Sequence, residues 1–247
     1  NDTVSIETSG SESFNINDAG TLELKKAQVG TQFDTGSFLR LHPSATTNSG
    51  GFTNMFFGTS TTANYGVALG GLREGTDDEP TFLINMLNDA IAGTSVFKIT
   101  NAGEVTKPRQ PAFLAQPASQ QNNVSSDDTI AFGTEIFDQN ADFASNTFTA
   151  PVTGKYQLSV ALRMDNIDAA CDYFRIGIHT SNRQYYYLFE PDIGTTGGQD
   201  ITRFPAVLSI LADMDANDTA TVVVNFSGGT AQTDIITDSY FSGFLAC

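Results

Sequence analysis

The chain has 247 residues, 40% hydrophobic and 16% charged, with 28 acidic side chains against 12 basic ones and a formal net charge of −16. Such a surface repels phosphate backbones and anionic headgroups, which excludes nucleic acid and disfavours membranes as partners. Among 247 residues no apolar run approaches the roughly 18 needed for a membrane span, and two cysteines make no disulfide framework, so free thiols are expected at Cys171 and Cys247. Position 1 is Asn, with no signal-peptide pattern behind it, so the chain reads as a piece of something longer.

Abundant Gly, Thr, Ser and Asn predict an all-β chain of short strands and turns. The first feature is a repeat. SESFNINDAGTLEL (residues 11–24) aligns with TSVFKITNAGEVTK (residues 94–107), setting Phe14 on Phe97, Ile16 on Ile99, Gly20 on Gly103 and Leu22 on Val105. Each copy predicts a hairpin: an alternating strand, an Asn-rich turn with Ala-Gly, and a second strand. A lone hairpin is marginal in water, so these gain stability if identical chains wrap about one axis. Between the copies, SFLRLHP, NMFFGTS, YGVALGGL and TFLINMLN predict a small β-rich bead over residues 27–93. ITNAGEV between strands of mixed polarity resembles viral tail-fibre and other trimeric stem proteins.

Three prolines within KPRQPAFLAQP (residues 107–117) break regular structure and divide the chain into a stem-and-bead domain, 1–107, and a second domain, 108–247. Strands are then predicted at AFLA, TIAFGTEIFD, NTFTA, GKYQLSVALRMD, YFRIGIHTS, QYYYLFE, RFPAVLSILADM, TATVVVNFSG and DSYFSGFLA. Strands at this spacing imply a sandwich or barrel.

The order of motifs goes further. AFLA is followed by F-x-x-x-x-F-x-A-P-x-x-G-x-Y, carried by Phe143, Phe148, Pro151, Gly154 and Tyr156, and the chain closes on Phe241, Gly243, Phe244 and Leu245 of FSGFL. This closely resembles the complement-component-one-q globular head, a family related to tumour necrosis factor. The resemblance covers about residues 111–246 and implies a ten-stranded jelly roll assembled as a homotrimer, with these motif residues in the core and trimer interface. Pro151 and Gly154 are expected to make a tight turn that launches the strand carrying Tyr156, Leu158 and Val160.

Nothing in the sequence assembles a catalytic site. His42 and His179 are the only histidines, and no nucleophile elbow, HExxH, Walker loop or dinucleotide fingerprint occurs. No carboxylate pair frames a sugar-cleaving cleft. Two acidic stretches, MDNIDAACDY and ADMDANDT, offer hard oxygen ligands, and Asp165, Asp168 and Asp172 are the candidate Ca²⁺ ligands in a loop after the Tyr156 strand. QYYYLFEP is the candidate ligand surface: Tyr185 and Tyr187 share a face with Phe189, Tyr186 points opposite, and Arg183 precedes them. Tyrosine rings suit a sugar or protein, and Arg183 a carboxylate-bearing glycan. The Gly/Thr-rich stretch DIGTTGGQD (residues 192–200) would lie beside it.

The sequence therefore reads as a non-enzymatic, homotrimeric binding module at a fibre tip: a bacteriophage tail-fibre or receptor-binding protein, on the virion or outside the cell, attaching to a host cell-surface glycan or protein. The alternative is a secreted lectin-like or innate-recognition protein of the same head family. A collagen Gly-X-Y stem would favour an animal source, and these residues hold none.

Overall fold

The computed structural model describes residues 13–16, 22–25, 41, 50–75, 79–90, 92–192 and 198–247. The chain divides into two compact units, residues 1–94 with 98–105 and residues 95–97 with 106–247. Among the described residues no helix is long and apolar enough to cross a membrane.

In the first unit β1 (Ser13–Ile16) and β2 (Leu22–Lys25) form an antiparallel hairpin that sets Phe14 opposite Leu24. Its turn lies outside the described residues. A separate sheet runs in the order β3 (Phe52–Gly58), β4 (Tyr65–Glu74), β5 (Glu79–Asn88), β6 (Thr94–Ile99) and β7 (Val105–Thr106). The β6–β7 turn closes on Thr100, whose amide donates to the Glu104 carbonyl at 3.0 Å. Glu74 accepts hydrogen bonds from Lys98 Nζ and from Thr81 Oγ1, both at 2.7 Å. The expected strand SFLRLHP lies outside the described residues except for Leu41.

The second unit contains β8 (Ala112–Gln116), β9 (Thr134–Asp138), β10 (Phe143–Ala144), β11 (Thr147–Thr149), β12 (Gly154–Ile167), β13 (Cys171–Thr180) and β14 (Gln184–Phe189). It continues with β15 (Ile201–Met214), β16 (Thr219–Gly228), β17 (Asp234–Ile235) and β18 (Tyr240–Leu245). One sheet runs β10-β11-β16-β13-β14 and the other β15-β12-β18-β8-β9, with β17 paired to β12. The fold is the all-β jelly-roll sandwich expected, ten strands in two layers plus the short β17. β15 forms the edge of its sheet and carries Pro205 in mid-strand.

Period-two alternation builds the core. Tyr156, Leu158, Val160, Leu162 and Met164 of β12 point inward against Phe174, Ile176 and Ile178 of β13 and Ala220, Val222 and Val224 of β16. At one end Phe113 stacks on Phe143 and on Phe148, each at 4.9 Å between ring centroids, and meets Phe241 edge-on at 5.0 Å. The Tyr156 hydroxyl, fully buried, donates to the Val152 carbonyl at 2.7 Å, so the polar tip of the ring is satisfied locally.

Two expectations change. The strand at TIAFGTEIFD begins only at Thr134. Upstream, side chains take the place of a ladder: Ala131 N–H donates to Gln121 Oε1 at 2.8 Å and Phe132 N–H to Asn146 Oδ1 at 2.8 Å, while Ile130 and Phe132 still fill the core. Gly154 does not serve a positive-φ turn. It is required by space, because a Cβ there would lie 2.6 Å from Leu245 Cδ1 and 2.8 Å from the Cys247 carbonyl oxygen.

Phe113 holds both layers, so Phe113→Ala is expected to cost about 3–5 kcal/mol in urea unfolding. A loss under about 1 kcal/mol would show that the cluster does not join the sheets.

Candidate functional site

Because Phe174, Ile176 and Ile178 point inward, Tyr173, Arg175, Gly177 and His179 of β13 line the outer face of their sheet. The register sets Leu188 beside Arg175, Tyr186 beside Gly177 and Gln184 beside His179, with Asn225 of β16 on the other side of Arg175. Gly177 is the floor of this patch: a Cβ there would lie 2.8 Å from His179 Nε2 and 2.8 Å from Tyr186 Cε1.

Arg175 is the centre. Its guanidinium carbon lies 4.0 Å from the Tyr186 ring centroid and 5.5 Å from that of Tyr173, within cation–π range. Arg175 Nε donates to Asn225 Oδ1 at 2.7 Å. Asn225 Nδ2 in turn donates to Asp127 Oδ1 at 2.5 Å and to Ser126 Oγ at 3.2 Å, so a loop braces the arginine from behind. The Tyr186 hydroxyl donates to Gln184 Oε1 at 2.7 Å. His179 meets Tyr186 edge-on at 5.2 Å, and its Nε2 is sealed from solvent without a hydrogen-bond partner. Burial first, then the Arg175 charge, push the His179 pKa below its ordinary value against a smaller opposing pull from Asp127, which leaves the ring neutral at pH 7.

Of the four residues expected to contact ligand, Tyr186 belongs to this patch. Tyr185 packs against the core, and Tyr187 lies on the same side of β14, exposed, with its ring 6.3 Å from that of Phe189. Arg183 sits in the β13–β14 turn and pairs with Asp213 at 3.6 Å. Residues 193–197 of the Gly/Thr-rich stretch, and His42, lie outside the described residues. Alternation within YFRIGIHTS was the signal that could have put Tyr173, Arg175 and His179 on one face. What the sequence lacked was the register that carries Tyr186 and Asn225 to them.

The three candidate metal ligands have separate partners. Asp165 lies within β12 rather than in a loop and accepts from Arg163 Nη2 at 3.1 Å. Asp168 clamps two turns: Oδ1 accepts from Ala170 N–H at 2.8 Å, and Oδ2 accepts from Thr230 N–H at 2.6 Å and Thr230 Oγ1 at 2.8 Å. Asp172 Oδ2 accepts from Ser227 Oγ at 3.2 Å. Among the described residues no group of three His, Cys, Asp or Glu side chains is placed to hold a metal ion. In the second acidic stretch Asp218 caps its own turn, accepting from Asp215 N–H at 2.8 Å. Burial, reinforced by Asp168, Asp172 and Asp200, pushes the Cys171 thiol up to about 11, so it is protonated and unreactive at neutral pH.

Larger hollows lie elsewhere: one of about 560 Å³ beside Lys107, Arg109, Asn140 and Asp142, and one of about 320 Å³ beside Arg163, Arg203, Pro205 and Asp238.

A family profile for the C1q domain matches residues 112–246. No curated protein matches the chain. Among solved structures it is similar to the globular domain of zebrafish complement 1qA protein, at 14% identity and a TM-score of 0.43, covering 56% of this chain and 98% of that one. It is also similar to murine APRIL (7%, TM-score 0.41, 56% and 99%). A third likeness is to Eiger TNF from S. frugiperda (12%, TM-score 0.42, 56% and 92%).

The hydrogen bond from Ala170 N–H, then those from Thr230, hold the Asp168 carboxyl below its ordinary pKa. Its contribution is therefore complete above the unfolded value of about 3.9 and lost as pH falls through the lower folded value. Asp168→Ala is expected to cost about 1 kcal/mol at pH 7, since solvent reaches the clamp, with the gap to the parent chain closing in acid. A chelator titration should leave the melting midpoint of the parent chain unchanged. A gap that does not narrow as pH falls below the unfolded value of about 3.9, or a midpoint that falls with chelator, contradicts this assignment.

Proposed function

The chain belongs to the C1q-domain family, and on that premise we propose that it is a homotrimeric, non-enzymatic binding module at the tip of a fibre. The observation that carries the reading is the outward face of the β12-centred sheet. Val207 (61% exposed), Leu211 (58%), Phe244 (49%) and Phe137 (48%) lie there uncovered. They surround a small centre in which the Ser159 and Ser209 hydroxyls lie 2.7 Å apart and Gln157 Nε2 donates to Ser209 Oγ at 2.8 Å. A soluble chain seldom leaves so many large apolar side chains bare on one sheet face, and three copies turned about one axis bury them in a closed ring.

The hairpin repeat favours a bacteriophage tail fibre or receptor-binding protein, on the virion, over a secreted lectin-like or innate-recognition protein. The ground for that preference is the sequence repeat; β1–β2 pairs as a hairpin of its own, whereas β6–β7 continues the sheet of β3–β5 instead of standing apart from the bead. Three equal sites on one tip engage a repetitive cell-surface glycan or protein together, and each contact after the first is intramolecular. The net charge of −16 keeps the module off nucleic acid and anionic lipid.

Sedimentation of the full chain, diluted in salt, is expected to give a trimer, and Val207→Asp with Leu211→Asp a folded monomer. The trimer should adsorb to intact host bacteria about 10²–10⁴-fold more tightly than that monomer. A stable single chain would end the assembly. Adsorption to animal but to no bacterial surfaces selects the secreted alternative, and reducing-sugar release from host glycans overturns the non-enzymatic reading.

A further inference from the structure

We propose that Arg175 is the anion-reading group of a subsite for a carboxylate-bearing sugar on the outer face of β13 and β14. This rests on the recognition reading above and names the ligand chemistry. A free surface arginine sweeps many rotamers. Arg175 is held in one by the Tyr186 face under its plane and by Asn225 at Nε. Its two terminal nitrogens have no hydrogen-bond partner among the described residues, so the end of the fork that matches a carboxylate is left over.

Other arginines of the head are less suited. Arg163 is shared between Asp165 at 3.1 Å and Asp238 at 3.0 Å, and Arg183 faces Asp213 at 3.6 Å. Around Arg175 the surroundings suit a pyranose. Tyr173 and the exposed Leu188 flank it with apolar surface, and Gln184 and the Tyr186 hydroxyl supply polar atoms for ring hydroxyls. Asp127 stands behind Asn225 and keeps the local positive charge low. That favours a single carboxylate charge over a phosphate ester, which carries nearly two at neutral pH. The chain's overall acidity acts weakly here, because screening cuts off beyond about 8 Å in physiological salt.

The test is an NMR titration of the full chain, following the Arg175 Nε–H signal, with methyl β-D-glucuronide, methyl β-D-glucoside and glucose 6-phosphate as probes. The glucuronide is expected to give a saturable shift at millimolar concentration, the glucoside none, and the phosphate a weaker one. By saturation-transfer NMR on the sugar, Arg175→Gln and Arg175→Lys should each weaken glucuronide binding by about ten-fold, the lysine because it keeps charge but loses the fork. Should the glutamine variant unfold, the lysine variant alone decides. A glucuronide that binds no better than the glucoside or the phosphate, or that binds both variants unchanged, overturns the subsite. Avid adsorption to cells alongside such a result leaves the recognition reading intact, whereas glucuronide binding without adsorption removes that reading and keeps the subsite.

Discussion

The contact on which the head depends is a cluster of phenylalanine rings. Phe113 and Phe241 come from β8 and β18 in one sheet, and Phe143 and Phe148 from β10 and β11 in the other. β10 has two residues and β11 three, too few for ladder hydrogen bonds to hold them in place. They stay because each contributes a buried ring. The motif F-x-x-x-x-F thus reports a meeting of two layers inside one chain. Of the motif's four phenylalanines only Phe244 is turned outward and strongly exposed, so the phenylalanine-rich core closes within each copy.

Alternation separates what the strands do inside from what they show outside. The inner positions of β12, β13, β15 and β16 are almost uniformly apolar. Their outer positions differ by sheet. One sheet shows valine, leucine and phenylalanine around serines, chemistry that suits another copy of itself. The other shows tyrosine, arginine and histidine, chemistry that suits a polar ligand. Family membership explains the interior and leaves the outer face free to specialise.

Much of the head could be read in the sequence because its strands are long and strictly alternating. β12, β13 and β16 begin within about two residues of where alternation placed them. Failures have tertiary causes. Gln121 and Asn146 satisfied backbone groups that a strand through residues 130–133 would have used, and no periodicity reports such long-range side-chain capture. The role of Gly154 was misread because crowding by Leu245 and Cys247 is a tertiary fact. The candidate site was half legible. The strand QYYYLF pointed to Tyr186, but Arg175 and Asn225 join it only through a register set by β13 lying between β14 and β16.

Pro205 has a consequence for how the sandwich behaves in bulk. β15 spans fourteen residues, with one side bonded along its length to β12 and, among the described residues, no strand paired to the other. A bare edge of that length invites a further strand from a second molecule. A proline in its middle removes a donor, and Arg203 and Asp213 add charge near its two ends. Molecules meeting edge to edge find an interrupted template, so concentrated solutions should resist cross-β fibrillation while face-to-face docking stays open.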